Sequence, residues 1–238
     1  MKILINYANV QFLTAQKKCS QTGTFIGKFD KVIEYGFQDL DENFKLKNKL
    51  ILKSNKGAGY WIWKPYIIRK TLLTMTDNDF LFYCDSGSCF IQSVQPYIDY
   101  VVSKNIDLLA FIMPSSNFYF ETRWCKGDVL KELGVLERKD ILESPQIMST
   151  YSLWRKTEKT LQFVEKWLEL CQNRQLVTDI PSIVPNFPNF EEHRHDQAIF
   201  SVLCKINNID TVINPSYPDL ISCSKGLYRI VNGERDSR

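Results

Sequence analysis

The segment Phe80–Cys84, with Asp85 directly after it, limits the possible folds more than any other part of the chain. All five residues of the run are apolar or aromatic, and polar residues border it on both sides. Such a run predicts a strand buried on both faces, as in a parallel sheet. Open α/β sheets bind ligands at the carboxyl ends of their strands, so Asp85 is predicted to lie at a functional edge. The alternative is that Asp85 only caps the following turn.

Strand-like and helix-like segments alternate along the chain. Strands are predicted at residues 2–6, 31–35, 50–52, 80–84, 107–113, 147–154 and 211–213, and helices at residues 12–19, 41–50, 61–75, 94–104, 124–133, 158–171 and 196–206. The segment 177–189 has three prolines and is predicted to be a loop. This alternation predicts one α/β domain over residues 1–230, with a mainly parallel central sheet flanked by helices. A polar tail is expected over residues 231–238.

Composition excludes several functions. The chain has 238 residues, 44% of them hydrophobic, and a net charge of only +3 without long blocks of like charge, which argues against a nucleic-acid partner. The first apolar run is too short for a signal peptide, and we expect no membrane span. Seven cysteines without a CxxC pair indicate reduced thiols, so a cytoplasmic location is expected.

Residues 59–65, Gly-Tyr-Trp-Ile-Trp-Lys-Pro, join a glycine-containing loop to a helix start. A helix N-terminus attracts phosphate, and Lys64 adds a cation there. The chain has neither a complete dinucleotide fingerprint nor a P-loop motif. Tyr60, Trp61 and Trp63 can stack on a base or sugar, or can belong to the core. Tryptophans two positions apart cannot share one helical face, which favours at least one of them lining a site.

Two later segments carry further charged groups. Residues 121–128 place two cations and two carboxylates around a helix start, which is either a solvated helix end or part of a site. Residues 191–197 contain both histidines of the chain, and no other metal ligand stands at a zinc-site spacing. The alternative is a surface loop with incidental histidines. Asp196 is a candidate general base, and His195 is a candidate metal or phosphate contact.

Four segments together resemble a known family. They are Gly-Tyr-Trp-Ile-Trp-Lys-Pro (59–65), Phe-Tyr-Cys-Asp-Ser-Gly (82–87), Trp-Cys-Lys-Gly-Asp (124–128) and His-Arg-His-Asp-Gln (193–197). In this order they resemble small nucleotide-diphospho-sugar glycosyltransferases of the GT-A fold, found in bacterial polysaccharide loci and in large DNA viruses. The resemblance covers about residues 1–215. It implies a GT-A-like domain that transfers a sugar, with a UDP-sugar as the implied donor, to a glycan, a glycoprotein or another hydroxyl acceptor.

The resemblance also implies roles for individual residues. Asp85 corresponds to the aspartates that hold Mn²⁺ or Mg²⁺ against the donor diphosphate. Gly87 stands where the family has a second aspartate, which leaves open whether Asp85 binds the metal directly, through water, or contacts the ribose instead. Asp196 would be the base in an inverting reaction or would orient the acceptor in a retaining one, with His195 beside it. The donor-binding residues implied are Asn6, Tyr7, Tyr60, Trp63, Lys64, Asp85, Ser86, Gly87, Lys126 and Asp128.

Two other classes of protein compete with this interpretation. An inactive carbohydrate-binding module on the same fold is favoured by the missing second aspartate, whereas Lys64, Asp85 and Asp196 argue against it. A nucleotidyltransferase also uses a metal and a diphosphate, but such enzymes usually have a glycine-rich loop after the first strand. Residues 6–11 contain no glycine.

Overall fold

The apolar runs of the sequence form the strands of a six-stranded central sheet. A computed structural model describes residues 1–216 and 230–233 of the chain. The sheet strands are β1 (Lys2–Tyr7), β2 (Lys31–Tyr35), β3 (Phe80–Cys84), β5 (Leu108–Ile112), β6 (Ile147–Arg155) and β7 (Asp210–Ile213); β4 (Ser88–Phe90) and β8 (Val231–Gly233) form a separate pair.

The order of the strands brings distant parts of the sequence to one edge. The order is β2-β1-β3-β6-β5-β7, and β6 runs antiparallel to both of its neighbours, while the other pairs are parallel. The mainly parallel sheet is therefore confirmed. Because β6 is reversed, its first residues lie at the same edge as the carboxyl ends of β1, β3 and β5.

Helices cover both faces of this sheet. They are α1 (Leu13–Thr22), α2 (Glu42–Lys47), α3 (Lys49–Leu52), α4 (Gly57–Tyr60), α5 (Trp63–Leu72), α6 (Gln95–Lys104), α7 (Glu121–Trp124), α8 (Gly127–Glu132), α9 (Lys139–Leu142), α10 (Glu158–Cys171), α11 (Arg174–Val177) and α12 (His195–Ile206).

Three of the predicted elements are wrong. The helix predicted over residues 41–50 is interrupted at Asn48 and divides into α2 and α3. Residues 50–52 are helical rather than a strand, because the backbone amides of Ile51 and Leu52 both donate to the Asn48 carbonyl. A run of three apolar residues is too short to separate the two structures by pattern. The helix predicted over residues 124–133 is split into α7 and α8, since Cys125 and Lys126 between them are extended.

Strand β3 is buried on both faces, as predicted. Leu81 and Tyr83 pack into one hydrophobic cluster with α5, α10 and α12, and Phe82 and Cys84 pack into another with α1 and α6. Among the described residues, the cysteines at positions 19, 84, 89, 125, 171 and 204 are buried and form no disulfide, and Cys223 lies outside the described residues. Among the helices that the structure describes, none is long and apolar enough to cross a membrane.

The expected polar tail begins within the second, two-stranded sheet. Residues 231–233 form β8, which pairs antiparallel with β4. Three residues of the expected tail thus belong to a strand, and residues 234–238 lie outside the described residues.

Trp167 tests the cluster that joins α10 and α12 to the sheet. Its indole is fully buried, with ring centroids 4.6 Å from Phe200 and 6.5 Å from Trp154. We expect Trp167→Ala to lower the free energy of unfolding by about 3–5 kcal/mol in urea titrations. Leu50→Ala, at an exposed helical position, is the control and should change it by less than about 0.5 kcal/mol. Equal effects would contradict this description of the core.

Candidate functional site

Lys64 lies at the centre of a buried ion cluster at the carboxyl end of β3. Its Nζ is 3.3 Å from Asp85 Oδ1 and 3.3 Å from Asp196 Oδ2, and its side chain is only 3% exposed. The ammonium also donates to the hydroxyl of Ser149 at 3.0 Å and to the Ser149 carbonyl at 3.2 Å. Its donors are therefore directed to acceptors within the protein.

The fold assembles this cluster from four elements. Lys64 is in the first turn of α5, before Pro65, which has no N–H to leave unpaired there. Asp85 follows β3, Ser149 is in β6, and Asp196 is in the first turn of α12. Lys64, Asp85 and Asp196 were all expected at the site, and the structure brings them together.

Asp196 is a buried carboxylate whose charge is compensated by Lys64. Burial raises the pKa of Asp196 to about 6, and the Lys64 ammonium and the Ser149 hydroxyl oppose that rise. The Ser149 hydroxyl donates to Asp196 Oδ2 at 2.8 Å. Burial alone would lower the pKa of Lys64, but the two carboxylates outweigh it and raise that pKa.

Asp85 is the carboxylate of the cluster that solvent can reach. Its side chain is 34% exposed, against 4% for Asp196. The Tyr83 hydroxyl donates to Asp85 Oδ1 at 2.5 Å, and burial holds the pKa of Tyr83 well above its usual value. Ser86 and Gly87 form a tight turn, closed by a bond from the Ser88 amide to the Asp85 carbonyl at 3.2 Å. Within the predicted segment 85–87, Asp85 and Gly87 are partly exposed at the rim of the cluster, whereas Ser86 is buried.

The charge of the cluster suits a divalent cation, but the cluster offers few ligands for one. Two carboxylates and one ammonium leave it with one net negative charge. Mg²⁺ is commonly held by one or two carboxylates together with substrate phosphates. Within residues 1–216 and 230–233, no three His, Cys, Asp or Glu side chains converge as a metal site. A metal would therefore be held by Asp85 and completed by a diphosphate.

At the end of β1, two aromatic rings stack, and two polar atoms have no hydrogen-bond partner among the described residues. The rings of Tyr7 and Trp63 lie 3.8 Å apart at an angle of 14°. Of the described residues, none hydrogen-bonds the buried Tyr7 hydroxyl or the Asn9 amide oxygen. Burial, and then Asp39, raises the pKa of Tyr7 to about 12. Asn6, which was expected to bind the donor, is buried, and its side-chain amide bonds Gln16 and Ser20 of α1.

The short element α4 and the residue after it form a left-handed turn before Lys64. Residues 57–61 all have positive φ, from 49° at Ala58 to 97° at Gly59. Each non-glycine residue in this region costs about 1–2 kcal/mol. At Gly57 only glycine fits, because an added Cβ would lie 2.3 Å from the Trp61 ring. The glycine-containing loop that the sequence predicts before the helix therefore ends in a strained turn that sets the start of α5.

The two histidines connect α11 to α12. His193 Nε2 lies 2.7 Å from the Leu176 carbonyl, and His195 Nδ1 lies 2.8 Å from the Val177 carbonyl. Burial lowers the pKa of both imidazoles, so both are neutral at pH 7. His195 also packs against Trp61, with ring centroids 5.6 Å apart, and against Tyr60 at 4.9 Å. In this arrangement His195 is buried beside the cluster.

Lys126 and Asp128 bind a different part of the chain. Lys126 Nζ donates to the carbonyls of Thr178 and Ile180 at 3.1 and 3.0 Å, and burial lowers its pKa. The Asp128 carboxylate accepts from the amides of Ile183 and Val184. These two residues, expected to bind the donor, hold the loop after α11.

Sequence reasoning missed Ser149 and Tyr83. Ser149 lies inside a strand-like run with no local motif, and only the reversed direction of β6 places it beside Lys64. Tyr83 had a weak signal, because it stands two positions before Asp85 and so points to the same face of the strand.

Comparison with solved structures identifies the fold. Mouse xyloside xylosyltransferase 1 superposes with a TM-score of 0.52 at 8% identity, covering 99% of this chain and 97% of that one. The bifunctional glycosyltransferase WbbM gives a TM-score of 0.51 at 8% identity, covering 89% of this chain and 38% of WbbM. No protein-family model and no curated protein sequence matches. The chain therefore has the α/β fold of GT-A glycosyltransferases.

Lys64→Met tests the charge balance of the cluster. We expect it to lower the free energy of unfolding by about 3–5 kcal/mol at pH 8, because two carboxylates then face each other without a cation. The loss should be smaller at pH 5. In the wild type, Asp196 has a raised pKa, so stability falls as pH rises from about 4 to 6. Without Lys64 that pKa rises further, and the fall continues above pH 6.

Urea titrations at pH 5 and pH 8 measure both losses. Lys166→Met, at a side chain that is 51% exposed, is the control and should change stability little at either pH. Equal losses from Lys64→Met at the two pH values would contradict a charge-based role.

Proposed function

We propose that the chain is a glycosyltransferase that moves a sugar from a nucleotide diphosphate donor to a hydroxyl of a glycan or another acceptor. The observation that carries the proposal is the Lys64 cluster, which presents Asp85 at the carboxyl end of a central strand. Open α/β sheets bind their ligands at this edge. The fold is shared with proteins named as glycosyltransferases, which supports the same class of reaction here.

Asp85 is the proposed ligand of Mn²⁺ or Mg²⁺. When bound, the metal offsets the charge that develops on the leaving diphosphate. Tyr83 and Lys64 both contact Asp85 Oδ1, so they hold the carboxylate in one orientation. The turn at Ser86 and Gly87 lets the donor approach the backbone beside it.

A UDP-sugar is the proposed donor. Uracil offers an N–H donor between two carbonyl acceptors. The Asn9 amide oxygen can accept from that N–H, and the Tyr7 hydroxyl can donate to a neighbouring carbonyl. Leaving buried polar atoms unpaired costs about 1–3 kcal/mol each, which a nucleobase edge would relieve.

Lys64 and Asp196 are proposed as positioning residues. The Lys64 ammonium is buried and bonded to protein acceptors, so it acts on the donor through Asp85. Asp196, the candidate base, is 4% exposed and bonded to Ser149 and Lys64. A base must lie within hydrogen-bond reach of the hydroxyl that it deprotonates. In this conformation Asp196 instead fixes Lys64.

Asp85→Asn tests the proposed metal site. We expect the protein to remain folded, UDP to bind at least about tenfold more weakly with Mn²⁺ present, and the dependence on Mn²⁺ to disappear, because the amide lacks the charge that a divalent cation needs. Calorimetric titrations with and without Mn²⁺ measure this. Asp77→Asn, at a side chain that is 79% exposed, is the matched control. Unchanged metal dependence in Asp85→Asn would return Asp85 to a structural role.

Asp196→Asn and Ser149→Ala separate positioning from base catalysis. Each change removes one contact of the Lys64 ammonium, so we expect each to lower the transfer rate by about tenfold. If Asp196 were the base, its replacement would cost about 10²–10⁴ while Ser149→Ala would cost little. Single-turnover transfer from UDP-sugars, together with the affinity for UDP, distinguishes the two patterns.

A substrate panel tests the two competing classes of protein. It contains nucleotide sugars, and nucleoside triphosphates paired with sugar 1-phosphates, each with and without Mn²⁺. UDP-sugar binding with neither hydrolysis nor transfer would favour an inactive binding module. Release of pyrophosphate from a nucleoside triphosphate and a sugar 1-phosphate would favour a nucleotidyltransferase.

A further inference from the structure

A groove of about 790 Å³ opens at the same sheet edge as the Lys64 cluster. It lies between residues 117–122, 136–143 and 184–189, and is called here the 184–189 groove. Residues 117–122 follow β5, and Phe120 forms an isolated bridge with Pro145, just before β6 begins. The groove is therefore beside the start of the strand that carries Ser149.

A chain of hydrogen bonds joins the groove to the cluster. The Ser149 amide donates to Gln197 Oε1 at 3.4 Å, and Gln197 Nε2 donates to Gln146 Oε1 at 2.9 Å. Gln146 Nε2 in turn donates to the buried carboxylate of Glu121 at 2.9 Å. Glu121 stands between the groove residues Phe120 and Thr122. The floor of the groove and the cluster thus belong to one bonded framework.

The loop wall of the groove is held in place by the segment at the start of α8. The Gly127 amide donates to Asn186 Oδ1 at 2.8 Å, and the Val184 amide donates to Asp128 Oδ1 at 2.8 Å. An added Cβ on Gly127 would lie 2.7 Å from the Val184 carbonyl, so glycine permits the close approach. The wall is pre-formed, as ligand sites usually are.

The lining of the groove combines apolar faces with hydrogen-bond acceptors. Phe120, Phe187 and Leu142 supply apolar surface. Glu137 and Glu143 are exposed, and the structure gives their carboxylates no partner among the described residues. A sugar ring has apolar C–H faces and many hydroxyl donors, which complement such a lining.

The charge of the lining disfavours an anionic ligand. Two carboxylates and the single ammonium of Lys139 leave one net negative charge. A diphosphate or another anion is repelled by this balance, whereas a neutral oligosaccharide is accepted. The Lys64 cluster carries the same net charge, and there a bound divalent cation would be needed for a diphosphate to bind. The donor diphosphate is instead matched to Asp85 and a metal, in the cluster.

We infer that the 184–189 groove binds the acceptor as a neutral oligosaccharide, with Glu137 and Glu143 accepting hydrogen bonds from its hydroxyl groups. This rests on the proposed function, because it assigns the second substrate of that reaction. Lys126 and Asp128 then serve the acceptor side by holding the loop that forms the groove wall.

An array of neutral and anionic oligosaccharides, probed with the full chain, tests the inference. A retained neutral oligosaccharide is then titrated against the double variant Glu137→Gln with Glu143→Gln. We expect about tenfold weaker binding, since hydrogen bonds to charged acceptors are lost. Glu132→Gln is the matched control, an exposed carboxylate outside the groove, and should stay within about twofold. Phe187→Ala should weaken the same oligosaccharide, and UDP affinity with Mn²⁺ should not change in any of these variants.

Three results would overturn the inference: retention of anionic oligosaccharides only or of none, equal binding by the double variant and the wild type, or loss of UDP affinity in the groove variants. A fourth contrary result would be displacement of the oligosaccharide from the wild type by a basic peptide library, which would favour a peptide acceptor. Oligosaccharide binding that follows the groove variants, without transfer from any nucleotide sugar, would support the groove and refute the proposed function.

Discussion

The site depends on one buried ammonium shared by two carboxylates. Removing a charge from water costs several kcal/mol unless partners compensate it, and Lys64 meets that condition with Asp85, Asp196 and Ser149. These residues come from α5, the end of β3, α12 and β6. Because each partner is needed to neutralise or bond the others, the cluster fixes how these elements meet. The partly exposed carboxylate of Asp85 is held in its orientation by the buried Lys64 ammonium.

The same sheet edge carries two regions with different chemistry. The cluster joins residues 64, 85 and 196 around the exposed Asp85. The 184–189 groove is mostly apolar and acidic, and residues 126–128 hold its wall. Reversal of β6 makes this division possible. Pro145, just before the strand, pairs with Phe120 of the groove, and Ser149, a few residues further along, reaches the cluster. The hydrogen bonds through Gln197 and Gln146 connect the two regions, whose surface residues are different.

Local patterns predicted the elements and the charged members of the site, but not their partners. The apolar run of β3 predicted both its burial and the position of Asp85, because strand length and composition are local properties. Ser149 could not be found in this way, since its role depends on the pairing of β6 with β3. The donor-site roles expected of Asn6 and Lys126 rested on the resemblance to a known family. Their polar groups instead bond α1 and the loop after α11.

The glycine at position 87 has a further electrostatic consequence. A second aspartate there would add charge at the exposed rim, where water and salt screen it. Asp196 instead supplies its charge from the interior, where screening is weaker, and Lys64 cancels one of the two negative charges. The remaining charge resides on a cluster whose accessible part is Asp85. In the proposed reaction, a divalent cation with its diphosphate would therefore contact one fixed carboxylate, that of Asp85. The Lys64 ammonium beside this carboxylate would weaken its attraction for the cation.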